Sequence, residues 1–478
     1  MINKYSPPRI SNELGRIAPE AAADRNYYSR RINTPALFEI DGVPISKLVE
    51  KFGTPLYVFS EHSLREKAKR LREVFKSRYA NTSFAWSYKT NYLNAICQTF
   101  HQEGWIAEVV SDFEYHKARK LGIPGKDIVF NGPYKPKEIL ELAIKEGALV
   151  QIDNWDELGL FEELTKNVKH PVNVGIRVWL DAGILPIWSK FGFALENGEA
   201  GRAAERIVTN QNLRLHTLHS HIGTYILSPN AYRISAKKLS ALRDQIFTEH
   251  NHLIDCINLG GGFPSHSLLH GMIGSPEQLI PPIEDYADAI TEVFNALPEN
   301  KKPMIRFESG RYLVDEAGYL LTNVVAIKGG SRYPSNIHSD LSARDHKEQM
   351  IINEDAKMNS YILDAGINLL YTGAWYQFNV FPSHVINSPP LPSRLYGPLC
   401  MSIDVIRYHV DLPTLKVGDT LTLHPVGAYN VSQAMQFISF RPPVVMISTK
   451  GVPEIIRRKE VLEDVDNTEK TLEKLMQE

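Results

Sequence analysis

Five polar groups close short apolar runs in this chain. Lys89 ends Phe84–Lys89, Arg177 ends Val172–Arg177, and His221 lies near the end of Leu215–Gly223. Gly260-Gly261-Gly262 ends the run from Cys256, and Glu308 stands just before Gly310 at the end of the run from Met304. An amine in a partly desolvated pocket loses its proton readily and can form a Schiff base with an aldehyde. Consecutive glycines let backbone N–H groups approach phosphate oxygens closely. A carboxylate facing a ring nitrogen favours its protonated form, since opposite charges stabilise one another. The set suits a phosphorylated cofactor held by an imine.

The elements that must position these groups follow from the rhythm of the chain. Eight runs, Phe84–Lys89, Ile106–Ser111, Ile128–Gly132, Leu149–Asp153, Val172–Arg177, Leu215–Gly223, Cys256–Gly262 and Met304–Gly310, alternate with helix-like segments such as 136–146, 154–166 and 234–250. Near-continuous apolar strands separated by amphipathic helices imply a parallel sheet buried on both faces. Eight such units predict an α/β fold built on a (β/α)8 TIM-type barrel, whose active site forms at the C-terminal strand ends. After about Gly318 strands follow without intervening helices, at Tyr319–Ile327, Tyr361–Asp364, Val405–His409, Thr420–His424 and Val444–Ile447. That pattern predicts a C-terminal antiparallel β domain that also takes in an N-terminal strand. The expected organisation is an N-terminal extension over 1–35, a strand for the β domain within 36–52, and the barrel over 53–317. The β domain follows over 318–453, with a polar insertion at 329–358 and a charged tail helix over 454–478.

Composition fits a soluble enzyme. A chain of 478 residues is too long for one core, so two domains are expected. A net charge of −2 with interspersed signs offers no basic footprint for nucleic acid. The start has no apolar signal region, and no run approaches membrane-spanning length. Cys97, Cys256 and Cys400 lack metal-ligand spacing, which points to a reducing, cytoplasmic setting and no metal site.

The motifs Tyr88-Lys89-Thr90-Asn91, Ser189–Gly192, His219–Thr224, Gly260–Gly262, Glu308–Arg311, Gly397–Cys400 with Asp404, and Gly427-Ala428-Tyr429 occur in one order. In this, the chain resembles the fold-type III pyridoxal-phosphate decarboxylases, the group containing diaminopimelate and ornithine decarboxylases, over roughly residues 45 to 450. The resemblance implies pyridoxal 5'-phosphate as cofactor, an amino acid as substrate, and a homodimer with shared active sites. It makes Lys89 the Schiff-base lysine and Glu308 the partner of the pyridine nitrogen, whose protonated ring is a full electron sink. His221 becomes the histidine stacked on the ring, and Thr224, Gly260, Gly261, Gly262, Gly310, Arg311 and Tyr429 further cofactor contacts. Cys400 becomes the proton donor that crosses the dimer interface.

Each assignment has a plainer alternative: a strand-capping lysine, a tight turn, a salt bridge for Arg311, a core tyrosine for Tyr429, an Arg306 partner for Glu308, a small buried hydrophobe for Cys400. His219 reads as a supporting core histidine. Arg177 and Lys190 frame either the phosphate side or a dimer contact, with Arg177 also a candidate for substrate binding. Two departures from the family stand out. Ser309 replaces a proline, and Met401 replaces the acid that binds the distal amine in the diamino-acid enzymes. Met401 and Asp404 are therefore the candidate determinants of substrate, and a larger or conjugated amino acid becomes plausible. The expected function is decarboxylation of an amino acid or amino-acid conjugate. Rival readings are a racemase on the same scaffold, which would pair the ring nitrogen with an arginine, and a non-catalytic binding protein, which would lose cofactor contacts.

Overall fold

A computed structural model describes residues 35–329 and 358–472. The expected extension before residue 35, nearly all of the insertion at 329–358 and the last residues of the tail lie outside the described residues. The chain divides into two compact units, one over Ser63–Ser267 and Gly274–Glu316, the other including the segment up to His62, Leu268–Ile273 and the chain from Ala317 onward.

The first unit is the expected barrel. Its eight strands are Thr82–Ser87, Ile106–Val109, Ile128–Phe130, Leu149–Ile152, Val172–Trp179, Leu213–His219, Cys256–Asn258 and Met304–Ser309. All neighbours are parallel. The eighth strand returns to the first through Glu308↔Ala85, and the fifth and sixth pair through Ile176↔Leu218, so the sheet closes. Ser309 pairs with Trp86 within the eighth strand, so the replaced proline leaves the ladder intact. The helices have local causes. Asn154 caps Trp155–Leu164 by accepting from the Glu157 N–H, and Ser228 caps Pro229–His250 with proline at the first helical position. Gly147, left-handed at φ 74°, ends Lys137–Glu146. Beneath the strand ends, Phe75, Phe84, Phe263 and Phe307 form an aromatic plug, with the Phe75 and Phe307 centroids 4.1 Å apart.

The second unit is a mostly antiparallel sheet around the long strand Gly318–Gly329. Two of its pairings are parallel, Asn359–Leu363 with Leu391–Tyr396 and Leu56–Ser60 with Val444–Ile447. The N-terminal strand it takes in is Leu56–Ser60, not a strand within 36–52. All five of its residues are buried between Gly318–Leu321 and Val444–Ile447. The expected strand and turn over Leu37–Pro44 form a separate two-stranded hairpin, Glu39–Ile40 with Val43–Pro44, followed by the helix Ile45–Phe52. Asp41 and Gly42 both take positive φ, the geometry of a two-residue hairpin turn, which folds the segment back on itself. Ile40, Ile45 and Leu48 then pack on Leu56, Val58, Leu321 and Val445. The tail also differs from a continuous helix. Pro453–Arg457 pairs antiparallel with Val444–Ile447, and the helix that follows among the described residues is the short Leu462–Asp466. Among the described residues no helix is long and apolar enough to cross a membrane.

Candidate active site

Lys89 stands on a single 3-10 turn, Tyr88–Thr90, directly after the first strand. The turn is anchored from below. His101 Nδ1 faces the Trp105 carbonyl at 2.8 Å and must donate to it, so Nε2 accepts from the Tyr88 hydroxyl at 2.7 Å. Burial pushes the Tyr88 phenol up and the His101 imidazole down, keeping both neutral. Lys89 Nζ donates to Ser87 Oγ at 3.1 Å and forms an ion pair with Glu108, which also accepts from Ser87.

Glu108 opens a buried polar chain that crosses the mouth of the barrel. Its Oε1 accepts from Asn131 Nδ2 at 2.9 Å, and the same nitrogen lies 2.9 Å from Glu308 Oε2. Glu308 Oε1 accepts from Asn258 Nδ2 at 2.7 Å. His219 Nε2 lies 3.3 Å from Glu308 Oε2 without hydrogen-bond alignment. Burial alone would raise the Glu308 carboxyl. The neighbouring His219 and Lys89 and the Asn131 hydrogen bond outweigh it and hold the group well below the usual carboxylate range. Glu308 is therefore an anion in a dry site, as a partner for a ring cation must be. Arg306, its plainer alternative partner, turns away to Ser83.

The triple-glycine loop leaves the seventh strand with no room for side chains. A Cβ on Gly261 would strike the Glu308 carbonyl, and one on Gly260 would come within 2.8 Å of His221 Cβ. All three carbonyls are engaged, by the Glu308 N–H, the Tyr232 hydroxyl and the Ile226 N–H. Gly260 N–H is held by Asn258 Oδ1 at 2.9 Å, and Gly261 N–H by His221 Nδ1 at 3.2 Å. Among the described residues only the Gly262 N–H of the three has no acceptor. Gly260 and Gly261 thus shape the loop, and Gly262 offers the donor.

His221 sits half-buried beyond the sixth strand, edge-on to Trp188 at 5.2 Å. Burial first, then the charges of Arg177 and Lys89, push its imidazole down to about 3, so it stays neutral. His219 lies inside the barrel, while His216 lies toward Asp255, as alternation along a strand requires. Arg177 is 8% exposed and makes no hydrogen bond or ion pair among the described residues. Its guanidinium stacks 4.3 Å over Phe191, beside the surface formed by Ile187–Phe191, so Arg177 is available to an anion. Lys190 Nζ lies 5.3 Å from the centroid of the same Phe191 ring. Arg311 pairs with Asp315 at 3.1 Å, and Asp315 accepts from Ser265 and Ser267. Thr224 is exposed beside Gly223, and Gly310 packs its backbone against Thr90.

Four candidate residues lie in the sheet unit. Cys400 is an exposed free thiol and Met401 is partly exposed. Tyr429 is half-buried at φ 66°, next to Asn430, which accepts from the Thr372 N–H and hydroxyl. Asp404 has a different place from the one expected. It is 2% exposed, and its two oxygens accept from the Ile367 and Leu399 N–H groups at 2.8 and 2.7 Å. Burial raises its carboxyl despite these bonds. Asp404 holds the Gly397–Asp404 turn together, with both oxygens engaged by backbone N–H groups and the side chain buried. The sequence reading missed Glu108, Asn131 and Asn258. Their signal was a polar residue inside an otherwise apolar strand or at its end.

The site fits pyridoxal phosphate: an amine beside a carboxylate, a second buried anion, an open glycine amide and a neutral imidazole. The family profile "Pyridoxal-dependent decarboxylase, pyridoxal binding domain" matches residues 61–315. Diaminopimelate decarboxylase from Methanocaldococcus jannaschii is 30% identical over 447 residues, covering 90% of this chain and 94% of the relative. The Bacillus subtilis diaminopimelate decarboxylase is 28% identical over 453 residues, covering 91% and 95%. The crystal structure of the M. jannaschii enzyme superposes with a TM-score of 0.78 at 28% identity, covering 93% of this chain and 98% of that one. The same enzyme in co-complex with L-lysine gives 0.76.

Proposed function

We propose that this chain, which belongs to the pyridoxal-dependent decarboxylases, holds its cofactor on Lys89 and releases CO2 from an amino acid whose far end carries no free ammonium. Pyridoxal phosphate supplies the electron sink for the carbanion left by CO2. The observation that carries the assignment is the buried anionic Glu308, donated to by Asn131 and Asn258 and reached from Lys89 through Glu108. An anion there supports decarboxylation and disfavours a racemase, which works better with a weaker sink.

The chain's own residues divide the work. Glu108 and Ser87 aim the Lys89 amine, and the Glu108 carboxylate balances its positive charge when it is ionised. Gly262 N–H and Arg311 bind phosphate oxygens, and Tyr429 is a further candidate for cofactor binding. His221, neutral and fixed through Nδ1, presents a flat face to the cofactor ring. Arg177 takes an anionic group of the substrate or cofactor. Cys400, from a second subunit of a cytoplasmic homodimer, gives a proton to Cα, since an exposed thiol can serve as a general acid. Met401 supplies a thioether where a distal ammonium would need a carboxylate, which favours an acylated, acidic or apolar far end.

The names of the relatives support a second reading, free diaminopimelate. Borohydride reduction followed by peptide mapping tests the lysine: the adduct belongs on Lys89, and its appearance on another lysine ends the assignment. A CO2-release panel with both enantiomers of diamino, acidic and conjugated amino acids tests the substrate. Efficient turnover of free diaminopimelate selects the second reading.

A further inference from the structure

Asn131 ends the third strand with its side chain buried, and its amide nitrogen is 2.9 Å from an oxygen of Glu108 and 2.9 Å from an oxygen of Glu308. The orientation is forced, because the amide oxygen in that place would face two carboxylates. Each of its two N–H bonds therefore serves one acid, and its oxygen has no partner among the described residues. Both acids are otherwise committed. Glu108 holds Lys89 and Ser87; Glu308 holds Asn258, whose oxygen in turn fixes the Gly260 N–H. One unbroken line of contacts thus joins the lysine to the phosphate loop.

Two carboxylates this close in a dry interior repel, and without a shared donor one of them takes a proton. The charged and titratable groups around them are Lys89, Arg177, Asp153, His219 and the neutral His221 at the other strand ends and Glu114 on the helix after the second strand. We propose that Asn131 is a positioning residue that lets Glu108 and Glu308 coexist as anions, so that the lysine's charge partner and the carboxylate serving the cofactor ring respond to pH as one unit. The inference rests on the roles of Lys89 and Glu308 given above.

The test compares wild type with Asn131→Leu and Asn131→Asp. One readout is the absorption of the bound cofactor against pH. The other is the acylation rate of Lys89 against pH in cofactor-free protein, followed by peptide mass spectrometry. In both variants each curve should gain an extra step between about pH 5 and 8, where a lone carboxyl pushed up by an adjacent anion titrates. Lys89 acylation at pH 7 should change at least threefold. Variant curves that superimpose on wild type after scaling would reduce Asn131 to a packing residue and overturn the inference. Asn131→Ser, which leaves space for a water, replaces the leucine variant if that one does not fold. A wild-type borohydride adduct on another lysine would sink the Lys89 assignment instead, so the two failures are distinct.

Discussion

Glu308→Gln isolates charge from shape at the centre of the site. The wild-type carboxylate accepts Asn258 at one oxygen and Asn131 at the other. A glutamine keeps one acceptor and turns its NH2 toward the other amide donor, so one hydrogen bond to a charged group becomes an N–H facing an N–H. Such a bond contributes about 1.5–3 kcal/mol. The ring nitrogen simultaneously loses its anionic partner. Removal of one preorganised electrostatic group from a water-excluded site commonly costs about 10²–10³ in kcat, or about 3–4 kcal/mol. The expected result is a kcat lower by about that factor, with cofactor occupancy retained, because Lys89, Gly262 and Arg311 are untouched. Rapid-quench CO2 release measures the chemical step, absorption measures occupancy, and a thermal melt confirms folding. A fully loaded variant within about threefold of wild-type kcat would refute Glu308 as the charge partner of the ring.

Glu114 is buried beside Val110 N–H, and burial, reinforced by Glu108 and partly offset by Lys89, pushes its carboxyl up to about 7. A raised folded-state value means that its stabilisation is complete below the ordinary value near 4.5 and lost as pH rises through about 7. Relative to Glu114→Gln, the wild type should lose about 3 kcal/mol of unfolding free energy across that window, measured by urea titration; parallel profiles would exclude the assignment. Asp404→Asn should lower stability by about 2 kcal/mol, since one of two buried backbone donors loses its acceptor, while KM stays constant; a raised KM at unchanged melting temperature would make Asp404 a substrate ligand. Mixing inactive Lys89→Ala and Cys400→Ala subunits should restore about a quarter of wild-type activity by random assortment into dimers with one intact site. No recovery after verified exchange would argue against a shared site. Met401→Glu should raise kcat/KM for free diaminopimelate at least tenfold, because a charged partner for a desolvated ammonium contributes about 2–5 kcal/mol; no gain would remove Met401 from the specificity determinants.

The barrel and the candidate groups at its strand ends were legible in the chain because they depend on local information. Apolar runs of strand length, caps such as Asn154 and Ser228, and polar residues at strand ends locate Lys89, His221, Gly260–Gly262 and Glu308 without reference to anything distant. What the tertiary structure alone decided are matters of partnership. Leu56–Ser60 is as apolar as a barrel strand, and only its two neighbours, separated from it by hundreds of residues in sequence, assign it to the other sheet. Asp41-Gly42 marks a turn in the sequence, but that Glu39–Ile40 pairs with Val43–Pro44 and not with the main sheet is decided by the fold. Asp404 looked like a spare acid because sequence cannot reveal that the Ile367 and Leu399 N–H groups each bond one of its oxygens in a buried turn. The line from Lys89 through Glu108 and Asn131 to Glu308 joins the first, second, third and eighth strands, and it exists only because the sheet closes on itself. Spacing along a chain records which residue types recur; a hydrogen bond across a closed barrel depends on two side chains from distant strands brought within about 3 Å by packing, and that distance is a property of the whole fold.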